Sequence, residues 1–175
     1  EDFHMGNTAE LVAEKYGVER AAQDAFAAES HRRAVAAAAA GAFDDEIVAV
    51  EIAQKKGEPL RVVRDEGPRA DSTPEALARL RPAFAKEGSV TAGNASTIND
   101  GAAARAEVSA AKARELGVAP LARITGYASG GTEPRWVMMA PVEAVRNVVR
   151  RCGRAAGDFD LVELNEAFAV QAIAC

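Results

Sequence analysis

The stretch Asp158-Phe-Asp-Leu-Val-Glu-Leu-Asn165-Glu166-Ala167-Phe168-Ala169 restricts the fold more than any other. A short apolar run with strand character passes straight into an alanine-rich helical pattern, with an asparagine at the junction. Helix starts carry unpaired N–H groups and the positive end of the peptide dipole, so negative charge is favoured in front of them. Two readings of Asn165 follow. It is an N-cap, with Phe168 in the core, or its amide holds a water or donates to a developing oxyanion.

The chain before it predicts mostly helix and loop. Thr8-Ala-Glu10 opens a short helix that reaches Tyr16 and stops at Gly17. A longer helix runs from about Arg20 to Ala40 and ends at Gly41, with a face of small residues (Ala22, Ala25, Ala37) and one bulky one, Phe26. His31 stands in a charged run with Arg32 and Arg33 and reads as a solvated surface histidine. Residues 46–52 and 60–63 read as two strands joined in a hairpin through Lys55-Lys56-Gly57-Glu58-Pro59. Residues 65–74 are a polar loop, and Glu75 to Leu80 is a turn or two of helix stopped by Pro82. A loop-rich insertion of this kind is where binding residues tend to sit.

The second half alternates strand and helix. Small residues crowd Ser89–Ala104, so backbone must approach another element or a ligand there. A helix is capped by Ser109 and stops at Gly117. Residues 121–128 read as a strand, and Pro141 starts an amphipathic helix with Val142, Val145, Val149 and Cys152 on one face, ending at Gly153. The alternation predicts an α/β fold with mixed or parallel pairing.

Bulk properties remove several function classes. The chain has 175 residues, a net charge of −5 and no basic stripe, which argues against nucleic acid. No apolar run approaches the roughly 20 residues needed to cross a bilayer, so we expect no membrane partner. Cys152 and Cys175 fit neither a disulfide framework nor, with two distant histidines, a metal site. A reducing, cytoplasmic setting is expected, with Cys152 inert in helix packing. The chain opens at Glu1 and stops at Cys175 inside a helical pattern, from which we expect a piece of a longer protein.

Five blocks in order resemble the thiolase family. They are His4-Met5-Gly-Asn-Thr-Ala-Glu10, Gln23-Asp-Ala-Phe-Ala27, Leu80-Arg-Pro-Ala-Phe84, Gly88–Ser96 with Asn99-Asp100-Gly101, and Asn165-Glu166-Ala167-Phe168. The resemblance implies a layered α/β/α/β/α fold, here incomplete and with a loop-rich insertion. It implies acyl transfer between coenzyme A and a cysteine, by Claisen condensation or thiolysis of 3-oxoacyl-CoA. Residues 1–88 would be the CoA-binding loop region of the N-terminal half, 89–118 the end of that half, and 119–175 the start of the C-terminal half.

Roles for particular positions follow from the resemblance. His4 and Met5 would line the pantetheine and acyl pocket, and Ala92 and Ser96 would meet the pantetheine arm. Arg69 would lie near the CoA nucleotide, where a planar, permanently charged fork suits phosphate. Asn165 would hold a water in an oxyanion hole, with Ala167 and Phe168 beside the substrate. Arg69 as an ordinary loop arginine and Ser96 as a backbone cap are the plain alternatives. No tightly bound cofactor and no metal are expected, only CoA and acyl-CoA, and the complete protein would be a homodimer or homotetramer.

The family's nucleophilic cysteine lies upstream of the His4 block, and its Gly-His-Pro histidine and second cysteine lie downstream of the Asn165 block. Neither Cys152 nor Cys175 stands at a matching position, so the fragment alone is expected to be inactive. Three departures are local. Arg105 and Glu107 place two charges on one face of an expected strand, so that face is either solvated or displaced. Ala76 replaces a serine that some relatives place near the adenine. Val137-Met-Met-Ala-Pro141 replaces a glycine-bearing stretch, which leaves acyl-chain preference open. The rival readings are a non-catalytic CoA-binding or interaction module derived from the same fold, and a piece that cannot fold by itself.

Overall fold

The computed structural model describes residues 4–175, in two compact units. The first holds the residues up to Thr97 together with Leu164–Cys175, and the second holds Ile98–Glu163.

In the first unit, helix α1 spans Met5–Tyr16. It begins three residues earlier than Thr8 because His4 caps it, its Nδ1 accepting from the Gly6 N–H at 3.1 Å. Gly17 ends it in the left-handed region (φ 63°), where a residue without Cβ carries no steric cost. Helix α2 spans Arg20–Ala39. The small-residue face expected for it is not the buried one. Ala22 and Ala25 are exposed, and Gln23, Asp24 and Ala27 are buried instead. The antiparallel hairpin forms from β1 (Val50–Ile52) and β2 (Leu60–Val62), shorter than its sequence suggests, with Val50 opposite Val62 and Ile52 opposite Leu60. Helix α3, Pro74–Leu77, is capped by Thr73 and is shorter than expected at its far end.

The centre of this unit is Ala9, Val12, Val90 and Val170, with Thr8, Gln23, Asp24, Thr91, Asn94 and Gln171 buried among them. Polar groups reach the interior because the 80–96 segment is loop. Apart from one bridge near its end and a few turn bonds, its backbone groups lie outside regular ladders, and side chains satisfy several of them. Helix α4 spans Ala110–Leu116 in the second unit, and the last helix, α6, spans Ala169–Ala174 in the first.

In the second unit α4 has the expected cap at Ser109 and the expected stop at Gly117 (φ 66°). Helix α5 (Ala140–Cys152) follows a 3₁₀ stretch and stops at Gly153 (φ 63°). The strands expected around 105–108, at 121–128 and within 158–164 are not formed among the described residues. A strand exists only where a ladder partner exists, and these segments have none. Residues 121–131 run instead over α5. The Tyr127 carbonyl accepts from Arg151 at 3.1 Å and the Ser129 carbonyl from Asn147 at 2.9 Å. A Cβ built on Gly126 would lie 2.2 Å from Cys152 Sγ, which is why that crossing needs a glycine. Arg105 and Glu107 pair with each other and are exposed, so of the two alternatives the solvated one holds.

Candidate functional site

The site is built on one loop, residues 89–96, held by two helices. Glu10 of α1 aims its carboxylate at the loop's start. It accepts from the Ser89 N–H (2.9 and 3.1 Å), the Ser89 hydroxyl (3.1 Å) and the Val90 N–H (2.9 Å). Gln23 of α2 donates to Ser89 Oγ at 2.9 Å and to the Val18 carbonyl at 3.1 Å. A tight turn follows, in which Asn94 Oδ1 accepts from the Thr91 N–H at 2.8 Å and Thr91 Oγ1 from the Gly93 N–H at 3.1 Å.

Asn94 is the hinge of the arrangement. Its Nδ2 donates to Asp24 Oδ1 at 2.9 Å and to the Ser89 carbonyl at 3.0 Å. Asp24 is 3% exposed and carries its other oxygen on Arg20 Nε at 2.7 Å. Arg20 in turn donates to the Leu77 and Leu80 carbonyls at 2.8 and 3.0 Å. Buried charges are tolerated when paired and fully hydrogen-bonded, and this chain of contacts meets that condition.

The loop then pairs with the segment carrying Asn165. Ala95 and Phe168 form an antiparallel bridge, the Ser96 N–H donates to the Ala167 carbonyl at 3.0 Å, and the Ala169 N–H donates to the Asn94 carbonyl at 2.9 Å. Ser96, Ala167 and Phe168 are thereby brought together. Phe168 meets Phe84 edge-on, with centroids 6.5 Å apart, and Phe84 stacks on His4 at 4.9 Å. His4 thus joins the same group through an aromatic relay. Met5 is the first residue of α1 and 48% exposed, and Ala92 is exposed on the turn.

Pairing with the loop excludes one of the two readings of Asn165. It is not an N-cap, because α6 starts only at Ala169, with Phe168 extended (φ −146°, ψ 141°) at the cap position. In a helix starting at Asn165, the Ala169 N–H would bond to the Asn165 carbonyl. That donor is taken by Asn94 instead. No helix N-terminus, and so no helix dipole, stands at Asn165. Asn165 is exposed, and its amide makes no hydrogen bond among the described residues.

Arg69 lies apart from this group, on a cleft of about 560 Å³ between α2 and residues 69–74, lined in part by Ala25, Ala28, Arg32, Val35 and Thr73. Its fork engages Asp71 through two bonds of 3.2 and 3.1 Å. That hydrogen-bonded ion pair raises the arginine's pKa and lowers the aspartate's. The loop is fixed to α2 by the Arg69 N–H, which donates to His31 Nδ1 at 3.1 Å. His31 is therefore half-buried and structurally engaged, not the solvated residue expected from its neighbours. A smaller cleft of about 120 Å³ faces Phe26, Ala27 and Ser30 of α2 and includes Ser96 and Glu166.

Glu10, Arg20, Gln23, Asp24 and Asn94 were not expected to hold the site together. Glu10, Gln23, Asp24 and Asn94 stand inside the family-like blocks and Arg20 just before one, and the signal was a polar residue among small or apolar neighbours. Neither cysteine is placed for nucleophilic work. Cys152 packs on Gly126, and burial pushes the Cys175 thiol up, away from thiolate.

Comparison with known proteins agrees with this architecture. Residues 1–109 match the model of the thiolase N-terminal domain, and 118–175 that of the thiolase C-terminal domain. The chain is 55% identical over 173 residues to an acetyl-CoA acetyltransferase of Pseudomonas aeruginosa, covering 99% of this chain and 44% of that protein. It is 52% identical over 172 residues to a probable acetyl-CoA acyltransferase of Staphylococcus aureus, again 44% of the relative. The crystal structure of the Bacillus anthracis acetyl-CoA acetyltransferase superposes with a TM-score of 0.89 at 43% identity, over 99% of this chain and 44% of that one. The chain thus spans less than half the length of the relatives it matches. Its fold is part of the thiolase α/β fold, and the chain belongs to the thiolase family.

Proposed function

We propose that the protein carrying this chain is an acyltransferase of the thiolase type, an acetyl-CoA C-acetyltransferase or 3-oxoacyl-CoA thiolase. The observation that carries the reading is the pairing of the 89–96 loop with 164–169, which gathers Ser96, Ala167, Phe168 and, through Phe84, His4 beside the Asn165 segment. The names of its relatives support the same chemistry.

In this reading CoA lies along α2. Its nucleotide enters the Arg69 cleft, whose volume falls in the usual range for ligand sites. A phosphate there competes with Asp71 for the arginine fork. The pantetheine arm passes Ala92 and Ser96, with His4 and Met5 at the acyl end. Asn165, whose amide has no partner among the described residues, donates directly or through a water to the oxygen on which charge develops in Claisen chemistry. The thiolate and the proton-transferring histidine are not among the 175 residues, so the chain alone binds without turnover. CoA thioesters are substrates and not resident cofactors, and the complete protein is a cytoplasmic dimer or tetramer of fatty-acid or acetyl-CoA metabolism.

Acetoacetyl-CoA thiolysis by the intact protein tests the reading. Asn165→Ala is expected to lower kcat by about 10²–10³, the usual loss for one oxyanion donor. Rates that do not change would remove Asn165 from the mechanism. Isothermal calorimetry with CoA on the 175-residue chain separates binding from catalysis.

A further inference from the structure

The Ser30 hydroxyl of α2 donates to Glu166 Oε2 at 2.5 Å, across 136 residues of sequence. We propose that Glu166 is a positioning residue. Its bond to Ser30 fixes the segment bearing Asn165 against α2, and so sets where the Asn165 amide stands. The inference rests on the thiolase-type reading of Asn165.

Three observations carry it. First, the backbone rungs between the loop and this segment end at the Ala167 carbonyl. On the Asn165 side of that rung, the Glu166–Ser30 bond is the next hydrogen bond among the described residues. Second, the contact closes one wall of the small cleft that includes Ser96, with Glu166 and Ser30 on its lining. Third, α2 holds both partners of the pairing. Asp24 takes the loop through Asn94, and Ser30 takes the segment through Glu166. Six helical residues separate these two holds, about 9 Å along the axis, so a rigid helix spaces the two halves of the bridge. A carboxylate next to Asn165 and free in solvent would hold nothing; this one, though exposed, is bonded to the helix.

The test uses the intact protein with Glu166→Ala, Glu166→Gln, Ser30→Ala and the Ala/Ala pair. Acetoacetyl-CoA thiolysis and amide hydrogen exchange at Ser96 are both read. Glu166→Ala should lower kcat about tenfold with KM for CoA unchanged, as expected for losing one charge-assisted hydrogen bond that orients an oxyanion donor. Glu166→Gln, which keeps an oxygen to accept from Ser30, should recover most of the rate. The Ala/Ala pair should be no slower than Glu166→Ala. Exchange at Ser96 should quicken in both single alanine variants. A kcat within twofold of wild type, an equal loss in Glu166→Gln, or a parallel rise in KM would overturn the proposal. Absence of thiolysis in the wild type, or indifference to Asn165→Ala, would instead defeat the acyl-transfer reading. In that case exchange at Ser96 still decides whether Glu166 fixes the segment: faster in Glu166→Ala supports it, unchanged rejects it.

Discussion

Asn94 Nδ2 donates to Asp24 Oδ1 at 2.9 Å, joining the 89–96 loop to α2 at a point where both residues are 3% exposed. This one bond links the Arg20–Asp24 pair to the loop whose carbonyl receives the Ala169 N–H. Removing one partner strands buried polar groups on the other side, and that asymmetry sets the size of the expected effects.

Asp24→Ala leaves the Arg20 guanidinium and the Asn94 amide short of a partner. A loss of about 3–5 kcal/mol is expected, the range for breaking one side of a buried pair. Arg20 is partly exposed and keeps two carbonyl acceptors, which places the effect at the lower end. Urea unfolding of the intact protein measures it. A loss under about 1 kcal/mol would mean that the network is not cooperative.

Glu10→Ala frees two backbone N–H groups, those of Ser89 and Val90, from their acceptor. The variant should lose about 2–3 kcal/mol, the scale for hydrogen bonds to a charged group. Glu10→Gln, with one oxygen left to accept, should lose less. Exchange of the Ser89 and Val90 amides provides a local readout, and protection that persists in Glu10→Ala would show the loop to be held elsewhere.

Gly6 faces the Phe84 ring so closely that a Cβ built on it would lie 2.3 Å from Cδ1. Gly6→Ala forces that ring away from His4 and Phe168. A cost of about 1–3 kcal/mol is expected, as for overpacking generally. Near-ultraviolet circular dichroism should report the displaced aromatic group, and an unchanged spectrum with unchanged stability would show that the ring shifts freely.

Glu29 is bonded by Arg32 and Arg33, which hold its carboxyl at about 2, below its ordinary 4.5. A depressed folded-state pKa favours the fold at pH above the unfolded value, and the contribution is lost as pH falls from 4.5 towards 2. Glu29→Gln should therefore flatten the acid dependence of stability in that window. Both ion pairs are exposed, so the effect should shrink in 1 M salt. An NMR titration placing the Glu29 carboxyl midpoint near 4.5 would contradict the pairing.

Local physics made the helices legible. Gly17, Gly117 and Gly153 stop helices in the left-handed region, at φ 63°, 66° and 63°, where sequence alone placed those stops. Ser109 caps as expected because its hydroxyl accepts from the Lys112 N–H at 3.1 Å, a contact within four residues. The five blocks likewise mark Ser96, Ala167 and Phe168 as neighbours of one site. They did not show how those residues meet.

The sequence by itself determined the helix stops at Gly17, Gly117 and Gly153, the presence of the hairpin and the family. Each depends on residues within a few positions or on an ordered pattern of short blocks. Tertiary structure alone decided where Asn165 stands. Its segment had both strand and helix character, and the choice fell to partners about seventy residues away: Asn94 and Ser96 took the hydrogen bonds that a helix from Asn165 would have used. The same rule left residues 105–108, 121–128 and 158–164 without strands, since a ladder needs a neighbour that local sequence cannot supply.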